Sequence, residues 1–271
     1  MTPPAPRAVP DDPDQRARLA VLAALGLHDD LARDYALVGG LVLQRVYGSP
    51  RASHDVDLDH VRAHPNELSD AHTRTLRDVC DRLDAGLART APAFGLEAAS
   101  LHVVEWSETL PTVFAEARYR TDDAATGAVE VQVTLCERVS HTTRARIDGV
   151  PVLAASLDDV VADKLKVLLQ QRRRHKVRHS DVYDLWFALA EAPFVPDPAA
   201  VREALLTKLA SWPQLLPLTA GAFRARAVRT FAEQGYRALR AEQPDLPFAP
   251  FDVVWDEIQR FVGAMGLPDG G

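Results

Sequence analysis

The chain is poor in the residues that build covalent scaffolds and metal cages. Only two cysteines, Cys80 and Cys136, occur in 271 residues, and they lie far apart in sequence. A disulfide framework and a cysteine-ligated zinc cage are excluded, and a reducing cytoplasm suits the chain. Long apolar runs are missing too. The longest, Ala36 to Leu43, includes two glycines, whereas a membrane helix needs about 20 apolar residues. The start of the chain, Met1 to Gln15, is rich in proline and aspartate and lacks the apolar stretch of a signal peptide, so it reads as a flexible tail. No HExxH pair, Gly-x-Ser-x-Gly elbow or P-loop is present, which sets aside the zinc protease, serine hydrolase and Walker-type chemistries. Lysine is scarce: of 31 basic residues only Lys164, Lys166, Lys176 and Lys208 are lysines.

What remains is globular in composition, with 47% hydrophobic and 25% charged residues. A net charge of −7 argues against a surface that attracts nucleic acid everywhere. The charge is uneven, however. Lys164 to Arg178 holds seven basic residues and no acid, a stretch that suits an anionic ligand or, more simply, a solvated loop.

Hydrophobic spacing predicts a helix over 16–34, a buried strand over 35–38, a turn at Gly39-Gly40 and a short helix over 41–47. Further strands are expected at 55–59, 96–105, 111–120, 129–135 and 150–153, with a helix over 68–91. From Ser156, whose pairing with Asp159 is a capping signature, the pattern turns helical: 157–173, 180–191, 198–211, 219–240 and 251–264. The expected architecture is α+β, a mixed sheet with flanking helices followed by a C-terminal helical domain. Its boundaries fall at a tail of 1–15, a first domain of 16–155 and a second of 156–271.

The segment Asp55-Val56-Asp57-Leu58-Asp59 carries the most chemistry. Strand residues two apart share a face, so the three aspartates line one side while Val56 and Leu58 face the core. Like charges that close call for a cation, and Mg²⁺ takes carboxylate and phosphate oxygens together. An EF-hand is excluded because His60 and Asn66 stand where its Gly and Glu belong. A solvated acidic edge strand and a metal-dependent sugar-nucleotide site remain as other readings. Upstream, Gly39-Gly40 ends a strand and opens a helix. Glycines admit a ligand close to the backbone, and free amides there attract phosphate.

Two helices of the second half add candidates. On a helical wheel Lys164 falls inside the apolar arc of Leu157, Val160, Val161, Leu165, Val167 and Leu168, and Lys166 falls on the solvated side. A lysine aimed at a core needs a counter-charge or a route to water. Asp181 and Asp184 share a stripe of the next helix. Ser180 is placed to cap that helix, and Asp181 could simply serve its dipole.

Gly39-Gly40 followed by Arg51-x-Ser53-x-Asp55-Val56-Asp57 resembles the first motif of the DNA polymerase β-like nucleotidyltransferase superfamily. More narrowly, LVGGLVLQRVYGSPRASHDVDL, VPVLAASLDDVVADKLKVLLQQ and RHSDVYDLWFAL resemble the AbiEii/AbiGii-like nucleotidyltransferase toxins of bacterial abortive-infection and toxin–antitoxin systems. The similarity covers roughly 35–190. It implies an EC 2.7.7-type enzyme that moves a nucleoside monophosphate from an NTP to an acceptor, with RNA and in particular tRNA 3′ ends expected. Asp55 and Asp57 would hold Mg²⁺ or Mn²⁺, and Gly39, Gly40, Arg51 and Ser53 would meet the nucleotide. Lys164 would hold the triphosphate. An antitoxin encoded nearby, a cytoplasmic location and no membrane contact are implied as well. Arg172, Arg173, Arg174, Lys176 and Arg178 are placed to steer a polyanionic acceptor.

The pattern departs from the family at the third acid. In the more natural register Gln132 occupies the usual acidic place, with Glu130 further along the same strand face. Glu130 serves as the third metal ligand, or Asp181 or Asp184 supplies the role. Two alternatives stay open: a small-molecule nucleotidyltransferase of the antibiotic-modifying kind, and a non-catalytic nucleotide-binding module of the same fold.

Overall fold

The computed structural model describes residues 9–62, 64, 65 and 67–269, with the side chain of Arg172 outside the described set. The first eight residues of the expected tail are outside it too. The chain divides into two compact units, Met1–Val46 with Ser53–Ala155, and Tyr47–Ala52 with Ser156–Gly271.

In the first unit, helix α1 (Pro13–Leu25) begins inside the segment expected to be a tail. Asp12 accepts a hydrogen bond from the Asp14 N–H at 3.0 Å, and Pro13 occupies the first turn, a strong start signal. Every residue from Ala17 to Leu25 is buried, so α1 is enclosed on all sides. The helix expected over 16–34 breaks at Gly26 and restarts as α2 (Asp29–Asp34). Strand β1 (Tyr35–Val38) leads into α3 (Gly39–Arg45), and β2 (Val56–His60) follows. Helix α4 (Asp70–Thr90), capped by Ser69, buries Leu76, Val79, Leu83 and Leu87 against its neighbours.

Five more strands complete the sheet: β3 (Leu96–Trp106), β4 (Thr112–Thr121), β5 (Thr126–Thr134), β6 (Thr142–Ile147) and β7 (Val150–Ala155). The order is β3-β4-β5-β2-β1-β7-β6. β2 runs antiparallel to β1 and parallel to β5, and β1 is parallel to β7. Helices α1 and α4 pack against one another and against the strands. Leu37, Leu58 and Val133 share one register row of the buried core. Strand β6 is missing from the sequence reading. It is an edge strand with exposed Arg144 and Arg146 in alternation, and its single neighbour, β7, demands little apolar surface.

The second unit is helical: α5 (Leu157–Arg174), α6 (Asp181–Trp186), α7 (Pro198–Leu209), α8 (Ala220–Arg224), α9 (Arg226–Glu242) and α10 (Phe251–Ala264). The Ser156 hydroxyl accepts from the Asp159 N–H at 3.2 Å and caps α5. After α6 the chain makes one π-helical turn, Phe187–Glu191. The helix expected over 219–240 is two helices, because Ala225 leaves helical space at φ −58°, ψ 130°. Helix α5 packs against α6, α7 and α9. That crowding corrects the solvated position expected for Lys166. Its side chain is 3% exposed, and its Nζ lies 2.7 Å from Asp163 Oδ1.

Candidate active site

β1 stops at Val38 and the chain turns at Gly39, which has φ +74°. Side chains other than glycine rarely adopt that angle. The β1–β2 register explains what the turn faces, since Val38 pairs with Asp57. A Cβ built on Gly39 would collide with the Asp57 carboxylate. The acid and the glycine turn therefore share one place, and the missing side chain is what admits the carboxylate.

The three aspartates differ in exposure. The strand begins at Val56, so Asp55 lies just before it and is exposed. Asp57 is half-buried, and Asp59 is only 6% exposed, paired in register with Ala36 and Thr134. Asp57 and Asp59, two apart on β2, share the expected face, and of the three acids one is open, one is at the turn and one is enclosed.

Two residues that the sequence did not single out hold the loop before Asp55. Gln44 of α3 accepts the Ser53 N–H at 3.2 Å, and Ser53 is buried. Arg18 of α1 is also buried, and its Nη1 sits 3.5 Å from the His54 carbonyl. Burial lowers the Arg18 pKa, while the carboxylates of Asp12, Asp14 and Asp55 act the other way. The one available signal was an arginine interrupting the apolar run of α1.

Across the sheet, Asp57 pairs with Gln132 of β5. Glu130 lies two residues back on the same face and is exposed. Gln132 Nε2 donates to Thr134 Oγ1 at 3.2 Å. Among the described residues no group of three His, Cys, Asp or Glu is placed to hold a metal ion. As the preferred register expects, the amide of Gln132 takes the seat beside Asp57, with Glu130 further along the same face. Two carboxylates still suit Mg²⁺, which keeps much of its water and binds through one or two acids plus substrate phosphates. Asp55 and Asp57 fit an ion whose shell the nucleotide completes, and they do not fit a cage built by protein alone.

The second unit brings together four charged residues from its list of candidates. Lys164 Nζ lies 2.7 Å from Asp181 Oδ1 and 2.9 Å from Asp184 Oδ2. Arg51 grips Asp184 bidentately, Nε to Oδ1 at 2.6 Å and Nη2 to Oδ2 at 2.9 Å. Both aspartates are fully buried. Burial alone would lower the Lys164 pKa, but Asp181 and Asp184 hold it above its ordinary value. Burial alone would raise the Asp184 carboxyl, but Lys164 and Arg51 hold it below the usual range. Asp184 is thereby fully neutralised, whereas Asp181 Oδ2 is buried without a hydrogen-bond partner and has Arg178 Nε at 3.4 Å. Ser180 makes no capping bond, so Asp181 answers to Lys164 rather than to the helix dipole alone. Arg51 grouped with Asp184 also explains why Tyr47–Ala52 belongs to this unit and not to the 16–155 segment. Arg173, Arg174, Lys176 and Arg178 lie exposed at and beyond the end of α5.

A family model described as the nucleotidyl transferase AbiEii toxin of type IV toxin–antitoxin systems matches residues 20–257. No curated protein matches the chain. Among solved structures, JHP933 from Helicobacter pylori is 15% identical, with 86% of this chain and 93% of that chain covered and a TM-score of 0.43. An antigenic nucleotidyltransferase-like protein from Paracoccidioides brasiliensis is 20% identical, covering 82% of this chain and 95% of its own, with a TM-score of 0.42.

Proposed function

Since the chain belongs to the AbiEii nucleotidyltransferase toxin family, we propose that it transfers a nucleoside monophosphate from an NTP to an RNA 3′ end, a tRNA end in particular. The acceptor hydroxyl oxygen bonds to the α-phosphorus as the bond to pyrophosphate breaks, and the hydroxyl proton is released. Asp55 and Asp57 are the residues that would hold magnesium or manganese. When bound, such an ion screens the triphosphate and stabilises the leaving pyrophosphate.

The chain's own residues prepare this step. Gly39 leaves the turn open for the Asp57 carboxylate and for a phosphate beside it. Gln44 and Arg18 fix the loop that carries Ser53 and Asp55, and the Ser53 hydroxyl is the donor we assign to a phosphate oxygen. Arg51 is engaged by Asp184, so its assignment moves from nucleotide to ion pair. Lys164 uses its ammonium on two carboxylates. An ammonium has three donors, which leaves one for the nucleotide role implied by the family. Growth inhibition in the cytoplasm, relieved by an antitoxin encoded nearby, completes the proposal. No helix among the described residues is long and apolar enough to cross a membrane.

The observation that carries this reading is the Asp57 carboxylate lying against the Gly39 turn. Its test is label transfer from α-³²P NTPs to total RNA with Mg²⁺ or Mn²⁺. The expected result is labelled RNA with the native chain and none with Asp57→Ala. Equal labelling by the variant would remove Asp57 from the mechanism.

One observation favours a second reading. Gln132 stands beside Asp57 where a third acid would complete the site, which suits a module that binds nucleotide without turning it over. Calorimetric NTP binding with no product under either metal would establish that reading instead.

A further inference from the structure

Within the second unit lies a cleft of about 740 Å³ that the catalytic proposal does not use. Leu169 of α5, Leu216 of the segment after α7, and Phe231 of α9 give it apolar walls, and Arg173 and His175 line it as well. The guanidinium of Arg173 is tethered to the wall, with Nη2 donating to the Gln214 carbonyl at 2.7 Å. Arg174 stacks over the Trp212 ring at 4.6 Å. Unlike Arg178, which faces Asp181, neither arginine nor Lys176 has a carboxylate partner among the described residues. Cations in the last turn of α5 are favoured by the helix dipole. That accounts for part of the arginine run. It does not account for Lys176, which follows the helix, or for an apolar slot lined by Arg173.

An apolar slot with an aromatic wall next to uncompensated cations has the chemistry of a base next to its phosphates. Bases bind apolar and aromatic surfaces through their flat faces, and arginine and lysine take the backbone. We propose that this cleft takes one unpaired nucleotide of the acceptor RNA. The base sits against Phe231, Leu169 and Leu216, and the flanking phosphates lie on Arg173 and Lys176. The inference rests on the reading that the acceptor is RNA and adds to it a place where the strand is held. An acidic peptide would use the cations but gain little from a slot of this shape.

The test is fluorescence anisotropy on the full chain with a fluorescein-labelled single-stranded 12-mer RNA, in EDTA and without NTP. An abasic 12-mer of equal charge is the second probe. The intact strand should bind about tenfold more tightly than the abasic one, the discrimination expected of one stacked base. Ala227→Trp, which fills the cleft from α9, should remove that difference while leaving abasic binding unchanged. Arg173→Gln should weaken both probes and flatten the salt dependence. Equal binding of the two probes by the native chain would overturn the proposal whatever the variants do. Because no step needs catalysis, the two readings fail separately. RNA held in the cleft but never labelled defeats the transferase reading alone. Labelling with an unchanged KM for RNA in Ala227→Trp defeats the cleft alone.

Discussion

Gly39→Ala is the sharpest probe of the turn, because its cost has two parts that a control separates. The first part is backbone. At φ +74° an alanine is in the left-handed region, which costs about 1–2 kcal/mol. The second part is contact: the new Cβ meets the Asp57 carboxylate, which must leave its rotamer at about 1 kcal/mol more. Gly48 has φ +81°, and a Cβ there meets nothing within 4 Å. Gly48→Ala therefore carries only the first part. Any gain from stiffening the unfolded chain is common to both variants and cancels. Urea denaturation should show a loss of about 1–2 kcal/mol for Gly48→Ala and about 2–3 kcal/mol for Gly39→Ala. In an Asp57→Ala background the contact is gone, so Gly39→Ala should then cost no more than the Gly48 control, a coupling of about 1 kcal/mol. Label transfer should survive Gly48→Ala and vanish in Gly39→Ala. Equal losses at both glycines, or no coupling to Asp57, would refute the claim that the turn exists to admit the carboxylate.

Three further outcomes follow from the buried charges and thiol. Lys164→Met takes the shared ammonium from two fully buried aspartates, leaving Asp184 to Arg51 and Asp181 with only the Arg178 contact at 3.4 Å, and thermal or urea unfolding should report a loss of about 3–5 kcal/mol. The folded Asp184 carboxyl lies below the usual range, so its ion pair is complete above the unfolded carboxylate value of about 4 and is lost as pH falls through the depressed folded value. The urea midpoint should accordingly fall on acidification from a plateau near neutrality, less steeply in Asp184→Asn, and a parallel slope in that variant would contradict the assignment. Burial pushes the Cys80 thiol up to about 12, so iodoacetamide at pH 8 should label Cys80 only as fast as the chain opens. Rapid labelling of the native protein, read by peptide mass, would show the site to be accessible.

The glycine pair and the Asp55–Asp57 spacing were legible because they are local. A strand, a turn that needs glycine and an acid at a fixed offset are written in consecutive residues. What faces the turn was legible only in outline, since the β1–β2 register decides that Asp57 rather than Asp55 lies over Gly39. The third acid stayed open between Glu130, Asp181 and Asp184 for the same reason. Alternation along β5 puts Glu130 and Gln132 on one face, and only the pairing with β2 tells which of them neighbours Asp57. Arg51 reads as part of a loop motif, yet its partner Asp184 stands 133 residues away. No local pattern encodes such a pair.

The scarcity of lysine takes on meaning with the ion pairs in view. Three of the four lysines are enclosed, with side-chain exposures of 7% for Lys164, 3% for Lys166 and 1% for Lys208, and each meets a carboxylate at 2.7 Å. The arginines, by contrast, are mostly on or near the surface. Lys164 meets oxygens of two aspartates with one compact ammonium. On Asp184 the ammonium of Lys164 is joined by the bidentate fork of Arg51. The burial of Lys164 follows from its place in the apolar arc, whereas that of Lys166 does not, because neighbouring helices cover the side of α5 that a surface helix leaves to water. Where α5 is packed on three sides, at Lys164 and Lys166, a buried charge is answered by a neighbouring carboxylate; its last turn, at Arg173 and Arg174, opens to solvent.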